Sequence, residues 1–244
     1  PIYEMLEPCF DGQISILVVN ARHMKNVPGR KTDMRDAQWI ATLLRAGLLK
    51  GSFIPDKTFR ELRHLTRYRK SIVRDITAQK NRIDKFLQSS GFRFTAFLSD
   101  AFGASGRNII RHLMEYGNIS REALDRCLKT QTRKRIDEIL IALNGSLSEH
   151  QRGFLRMIFG HLEALEQHRH TVEDAITKEI TKHEEALSLL CSIPGIDVTA
   201  AAAIIAEIGT DMSAFPDSQH ICSWAGLSPG NNESAGKRKS AHIN

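Results

Sequence analysis

The sequence predicts a mostly α-helical protein with a partial α/β piece at its N-terminus, a long coiled-coil middle and a helical, helix-hairpin-helix-like C-terminal domain. Three observations predict it. Residues 14–19, I-S-I-L-V-V, form a short continuous β-rich run followed by apolar positions at helical spacing. Apolar residues then recur in threes and fours through two long segments, 57–87 and 148–190. Finally, Ile193-Pro194-Gly195-Ile196 turns the chain into an alanine-rich run. The domains expected are 1–56, 57–190 and 191–244.

The run 14–19 has the pattern of a buried strand. A loop with Pro28, Gly29 and the bases Arg22, Lys25, Arg30 and Lys31 follows. From Thr32, Ala37, Ile40, Leu43, Leu44 and Leu48 step along a helix that Gly51 is expected to close, and S-F-I-P at 52–55 suits one more short strand. Strand, helix, strand suggests part of an α/β sheet.

Leu62, Leu65, Ile72, Ile76, Ile83 and Leu87 mark a long amphipathic helix. Its polar face carries Lys57, Arg60, Arg63, Arg67, Arg69, Lys70, Arg74, Lys80, Arg82 and Lys85, against Glu61, Asp75 and Asp84. Such a run is either a solvated face or a nucleic-acid-facing helix. Residues 90–146 read as short helical pieces punctuated by Gly91, Gly103, Gly106, Gly117 and Gly145. A second long helix is expected from Ser148 to Leu190, interrupted in its apolar seam by Arg169 and His183. The two long helices either fold back as an antiparallel coiled coil or pair across a dimer.

At 193–208 a hairpin of this kind can hold a phosphate on its amides and the next helix N-terminus. Asp197 stands where a second glycine is usual, and its charge opposes a phosphate. A helix-turn-helix core packed by Ala200 to Ala203 is the plainer reading.

The chain has 244 residues, 41% hydrophobic and 25% charged, with a formal net charge of +6. That is an ordinary globular composition with a lean toward polyanionic partners. No apolar run is long enough to span a membrane. Cys9, Cys127, Cys191 and Cys222 form no C-x-x-C pair and read as reduced core thiols of a cytoplasmic protein. His161, His168 and His170 fall on different faces or turns and read as surface residues.

Two stretches carry chemistry. In Lys31-Thr32-Asp33-Met34-Arg35-Asp36-Ala37, Asp33 and Asp36 share a face at a helix start. They either cap the helix or hold Mg²⁺. In Trp224–Ser240, W-A-G-L-S-P-G-N-N-E-S-A-G-K-R-K-S, Ser234 precedes two small residues and the cations Lys237, Arg238 and Lys239. Those charges suit a phosphodiester. The serine is either a nucleophile toward phosphorus or a phosphate-binding hydroxyl.

K-T-D-M-R-D-A with R-Y-R-K-S-I-V-R-D-I-T-A-Q-K-N-R-I, and then I-P-G-I-D-V-T-A, A-E-I-G and the serine stretch, resemble the transposases of the insertion-sequence IS110 family. The resemblance covers nearly the whole chain, with both motif groups in order. It implies that 1–56 is part of a RuvC-like (ribonuclease-H-type) domain with a D-E-D-D acidic set. Asp33 and Asp36 would be its third and fourth members, binding Mg²⁺. It also implies that Ser234 attacks a DNA phosphate and forms a transient phosphoserine link. A bridge RNA would guide the enzyme, and it would work as a homo-oligomer. Arg67, Arg74 and Arg82, with Lys237, Arg238 and Lys239, are the residues expected to touch nucleic acid. The first Asp and the Glu of the acidic set are expected upstream of Pro1, so residues 1–244 alone are expected not to complete strand exchange. The competing expectations are a non-catalytic coiled-coil nucleic-acid-binding protein and a nuclease using only metal-activated water.

Overall fold

A computed structural model describes residues 2–10, 14–20, 33–227, 232–234 and 237–240, with side chains from 36 to 227 and in the two N-terminal segments. The chain divides into two compact units, residues 57–210 and residues 1–56 with 211–244.

The first unit is helical throughout. Helix α3, Lys57–Ser89, buries Leu62, Ile72, Ile76, Ile83 and Leu87 of the expected stripe, leaves Leu65 half-buried and adds Phe59. Helix α8, Glu149–Ile180, packs along it. Side-chain pairs set the direction. Arg69 meets Glu173 at 2.7 Å, Lys80 meets Glu166 at 4.0 Å, and the Phe86 ring meets Phe154 edge-on at 5.1 Å between centroids. Partners fall in number on one helix as they rise on the other, so the helices run antiparallel within one chain. Near the middle, the buried Gln79 donates from Nε2 to the Ile158 carbonyl at 2.6 Å and accepts from Arg82. A polar group buried at this depth is tolerable because both ends of its amide are satisfied.

Four short helices follow α3: α4 (Ala104–Tyr116), α5 (Arg121–Cys127), α6 (Thr130–Arg133) and α7 (Ile136–Ala142). They close the open end of the pair with Ile109, Ile110, Leu113, Leu124 and Ile139, all fully buried. Gly145 is required by close approach: a Cβ there would lie 2.3 Å from the Ser90 carbonyl oxygen. Ser148 then starts α8 with a reciprocal capping box. Its Oγ accepts from the Gln151 amide at 3.3 Å, and the Gln151 side chain accepts from the Ser148 amide at 2.9 Å.

The expected helix 148–190 is broken. A 3₁₀ turn at Thr181–His183 separates α8 from α9, Glu184–Cys191. There the His183 ring lies against Phe59 at 4.8 Å, so tertiary contact holds the tightened turn. Helix α10, Val198–Ile208, packs on α3, buries Ala201 and sets Ala202, Ile205 and Ala206 in the shared core. Asp197 is its N-cap, accepting from the Ala200 amide at 2.7 Å. The plainer helix-turn-helix forms, with Ala201 and Ala202 of the expected four alanines buried and Ala200 and Ala203 half-buried, and the Asp197 carboxylate is engaged by its own helix.

The second unit combines the chain's ends. Helix α1 is Ile2–Phe10 and α2 is Asp33–Arg45. The expected buried strand at 14–19 does not form. One isolated antiparallel bridge joins Val19 to Gly51, and the Ser52 amide donates to the Val18 carbonyl at 2.6 Å. Ile14, Leu17 and Val18 stay exposed, because among the described residues no second neighbouring strand covers them. The helix also stops earlier than expected. Gly47, at φ +68°, ends it with paired bonds to Leu44 and from Leu48 to Leu43, and Leu48 lies beyond the helix. In the C-terminal part, a 3₁₀ turn at Met212–Ala214 leads to α11, Ser218–Trp224. Phe215 and Trp224 stack edge-on with Phe53 at 4.9 and 6.2 Å, tying residues near 53 to those near 215. A hairpin of β1 (Asn232–Ser234) and β2 (Lys237–Ser240) ends the unit.

No described helix is long and apolar enough to cross a membrane. The cysteines are free: Cys127 is half-buried against the core, as expected, Cys191 is half-buried, and Cys9 and Cys222 are exposed rather than core residues.

Candidate functional site

Ser234 is the last residue of β1, and the antiparallel register sets it opposite Lys237, with Glu233 opposite Arg238. Two residues, Ala235 and Gly236, separate the strands. The hairpin backbone thus brings the serine and the first of three consecutive cations to the same end of the ladder. The side chains of Ser234, Lys237, Arg238 and Lys239 lie outside the described residues. Sequence reading missed this hairpin, because N-E-S and K-R-K-S lack the apolar alternation that signals strands.

Asp33 opens α2 and Asp36 lies one turn along it, so the backbone sets them on one face. Asp36 is exposed, and the Asp33 side chain lies outside the described residues. Among the described residues no group of three or more His, Cys, Asp or Glu side chains is arranged to hold a metal ion. His161, His168 and His170 are exposed on α8, as expected.

The cations of α3 are not equivalent. Arg67 reaches Glu207, on α10, through two parallel bonds, Nε to Oε1 at 2.9 Å and Nη2 to Oε2 at 3.0 Å. Arg63 meets the same carboxylate at 3.0 Å and donates to the Ala206 and Glu207 carbonyls at 3.3 and 2.8 Å. Those carbonyls belong to the last turn of α10, which has no helical donors left for them. Burial lowers the Arg63 pKa from its ordinary value, against the opposing pull of Glu207. Arg82 donates to Gln79. By contrast Arg74, Lys70 and Lys85 are exposed and make no ion pair among the described residues. Of the three arginines expected to touch nucleic acid, only Arg74 presents itself without a partner among the described residues. The A-E-I-G stretch had pointed to Glu207 only as part of a resemblance; nothing in its spacing from Arg67, 140 residues away, announces the pair.

One helix with a surplus of cations and, in the same chain, a serine-bearing hairpin are the features to set beside known proteins. Residues 3–91 match the DEDD transposase family named for IS110, and residues 187–244 match the "Transposase IS116/IS110/IS902 family". A Streptomyces coelicolor protein, the "Insertion element IS110 uncharacterized 43.6 kDa protein", is 28% identical over 222 residues, covering 83% of this chain and 53% of that protein. This chain belongs to the IS110 family of transposases. It spans about half the length of that curated relative.

Proposed function

We propose that the chain forms part of a DNA transposase that cuts and rejoins DNA through Ser234. The observation that carries the reading is the pairing of the two family matches on one chain, the acid-bearing α2 within the first and the serine hairpin within the second. In the step itself, the Ser234 oxygen bonds to a DNA phosphorus as one phosphodiester P–O bond breaks. The serine proton passes to the departing oxygen, which becomes a free hydroxyl end. Attack by a hydroxyl of a second DNA end reverses the step and releases the serine, so one ester replaces another without an external energy source. The adjacent cations of β2 suit the phosphate charge.

Asp33 and Asp36, one turn apart on the α2 backbone, would hold Mg²⁺, since carboxylates are hard oxygen donors and the ion keeps waters and phosphate oxygens as its other ligands. Bound there, the ion would polarise the scissile phosphate. The exposed cations of α3 suit a nucleic-acid backbone, a bridge RNA would select the DNA, and a homo-oligomer would bring the needed ends together. The setting would be the cytoplasm.

The test is adduct trapping in a protein of the relative's full length containing this chain. With Mg²⁺ and supercoiled DNA, denaturation is expected to leave DNA covalently attached at Ser234. Ser234→Ala should lower strand transfer by roughly 10³-fold or more while binding persists. Strand exchange without an adduct, or with one at another residue, refutes the assignment.

A further inference from the structure

The positions 67, 70, 74 and 85 of α3 fall within about 60° of one another around the helix, at 3.6 residues per turn. Lys70, Arg74 and Lys85 stand free on that line among the described residues, and Arg67 would extend it. Instead Arg67 bends to Glu207, which also takes Arg63. Two guanidinium groups converging on one carboxylate, one of them through two parallel bonds, is a geometry that serves a phosphate equally well.

The two arginines are held differently. The Arg63 side chain is 21% exposed and anchored to two carbonyls, so releasing it would strand the end of α10. The Arg67 side chain is 65% exposed and anchored by the Glu207 carboxylate. An ion pair so open to water contributes little and exchanges readily. A phosphodiester arriving along the free stripe can therefore replace the carboxylate at Arg67 without disturbing Arg63.

We propose that Arg63 and Arg67 form a phosphate-binding subsite for the backbone of duplex DNA, and that Glu207 is its built-in competitor. The inference rests on the nucleic-acid reading of α3 given above. A duplex is favoured over a single strand because the stripe lies along a rigid helix and holds no aromatic side chain for base stacking, its intervening residues being Ser71, Ala78 and Asn81. Glu207 then lowers affinity twice, by occupying Arg67 and by presenting a negative charge to the backbone.

The experiment measures binding of the 244-residue chain to a fluorescein-labelled mixed-sequence duplex of about 30 base pairs across a salt series. Glu207→Gln keeps shape and removes charge. It is expected to tighten Kd several-fold and to steepen the salt slope by about one. Glu61→Gln, an equal charge change elsewhere on α3, should leave the slope unaltered. Adding Arg67→Ala to Glu207→Gln should abolish the gain. Arg67→Ala alone should weaken binding much less than Arg74→Ala, which keeps the proposal open to refutation if Glu207→Gln fails to fold by circular dichroism. A Glu207→Gln protein that folds yet binds no tighter overturns the subsite, as does a gain matched by Glu61→Gln or surviving Arg67→Ala. So does an Arg67→Ala loss equal to that of Arg74→Ala, or tighter binding of a single strand of the same length. If instead Lys70→Ala with Arg74→Ala leaves affinity unchanged, the nucleic-acid reading of α3 itself fails, and the competitor falls with it.

Discussion

Residues 57–210 and the unit made of the two chain ends solve the burial problem differently. The helical unit encloses the centre of its apolar seam: Ile83, Ile109, Ile110, Leu113, Leu155 and Leu162 reach zero exposure, while Ile141, Met157 and Leu189 stay at its surface. In the other unit, Leu43 and Phe215 are the buried large apolar side chains among the described residues. Ile2, Met5, Ile14, Leu44, Leu48 and Leu227 remain in contact with water. A helix satisfies its own backbone and needs only a partner for one face. An extended segment such as 14–19 needs neighbours on both edges, and the described residues supply one bridge. Stability should therefore be concentrated in the helical unit and local opening in the other.

The largest effect is expected from opening a cavity in the helix pair. Ile83→Ala or Leu162→Ala is expected to cost about 2–5 kcal/mol in denaturant unfolding, because both sites are fully enclosed. Loss below 1 kcal/mol would mean the pair is not the stability core. A smaller effect is expected from Trp224→Ala. It removes the edge-on contacts with Phe53 and Phe215 and should cost about 0.5–1.5 kcal/mol beyond area burial. Hydrogen exchange should rise in 212–227 while α3 and α8 keep their protection. Loss of protection in both units together would mean that they open as one.

The smallest effect concerns acid. The Asp217 carboxyl lies below its ordinary pKa, first because His220 bonds to it and then because it caps α11 through the His220 amide at 2.9 Å. A carboxylate depressed in the fold stabilises above its unfolded pKa, and the contribution fades as pH falls through the lower, folded value. Amide exchange in 218–224 should accelerate there, ahead of α3. Asp217→Asn should remove the pH dependence while keeping a cap.

The long helices were legible because Leu62, Ile72, Ile76, Ile83 and Leu87, and then Leu155, Ile158, Leu162 and Val172, repeat at helical spacing. Their antiparallel pairing was not, since the same seam serves a fold-back or a dimer. The break at 181–183 was hidden because its partner, Phe59, lies far away in sequence. At the site, Asp33, Asp36 and Ser234 stood out as chemical types in short motifs, while the hairpin under Ser234 lacks apolar alternation and left no periodic trace.

By itself, the sequence determined the inventory: helical stripes, a surplus of cations on one helix, and a serine and two aspartates in family-like stretches. Only the tertiary structure decided which cations are spoken for. Arg67 and Arg74 are chemically identical and two turns apart, yet one faces Glu207 and the other faces solvent. Charge is a property of a residue, but its availability depends on what the fold places within about 3 Å of it.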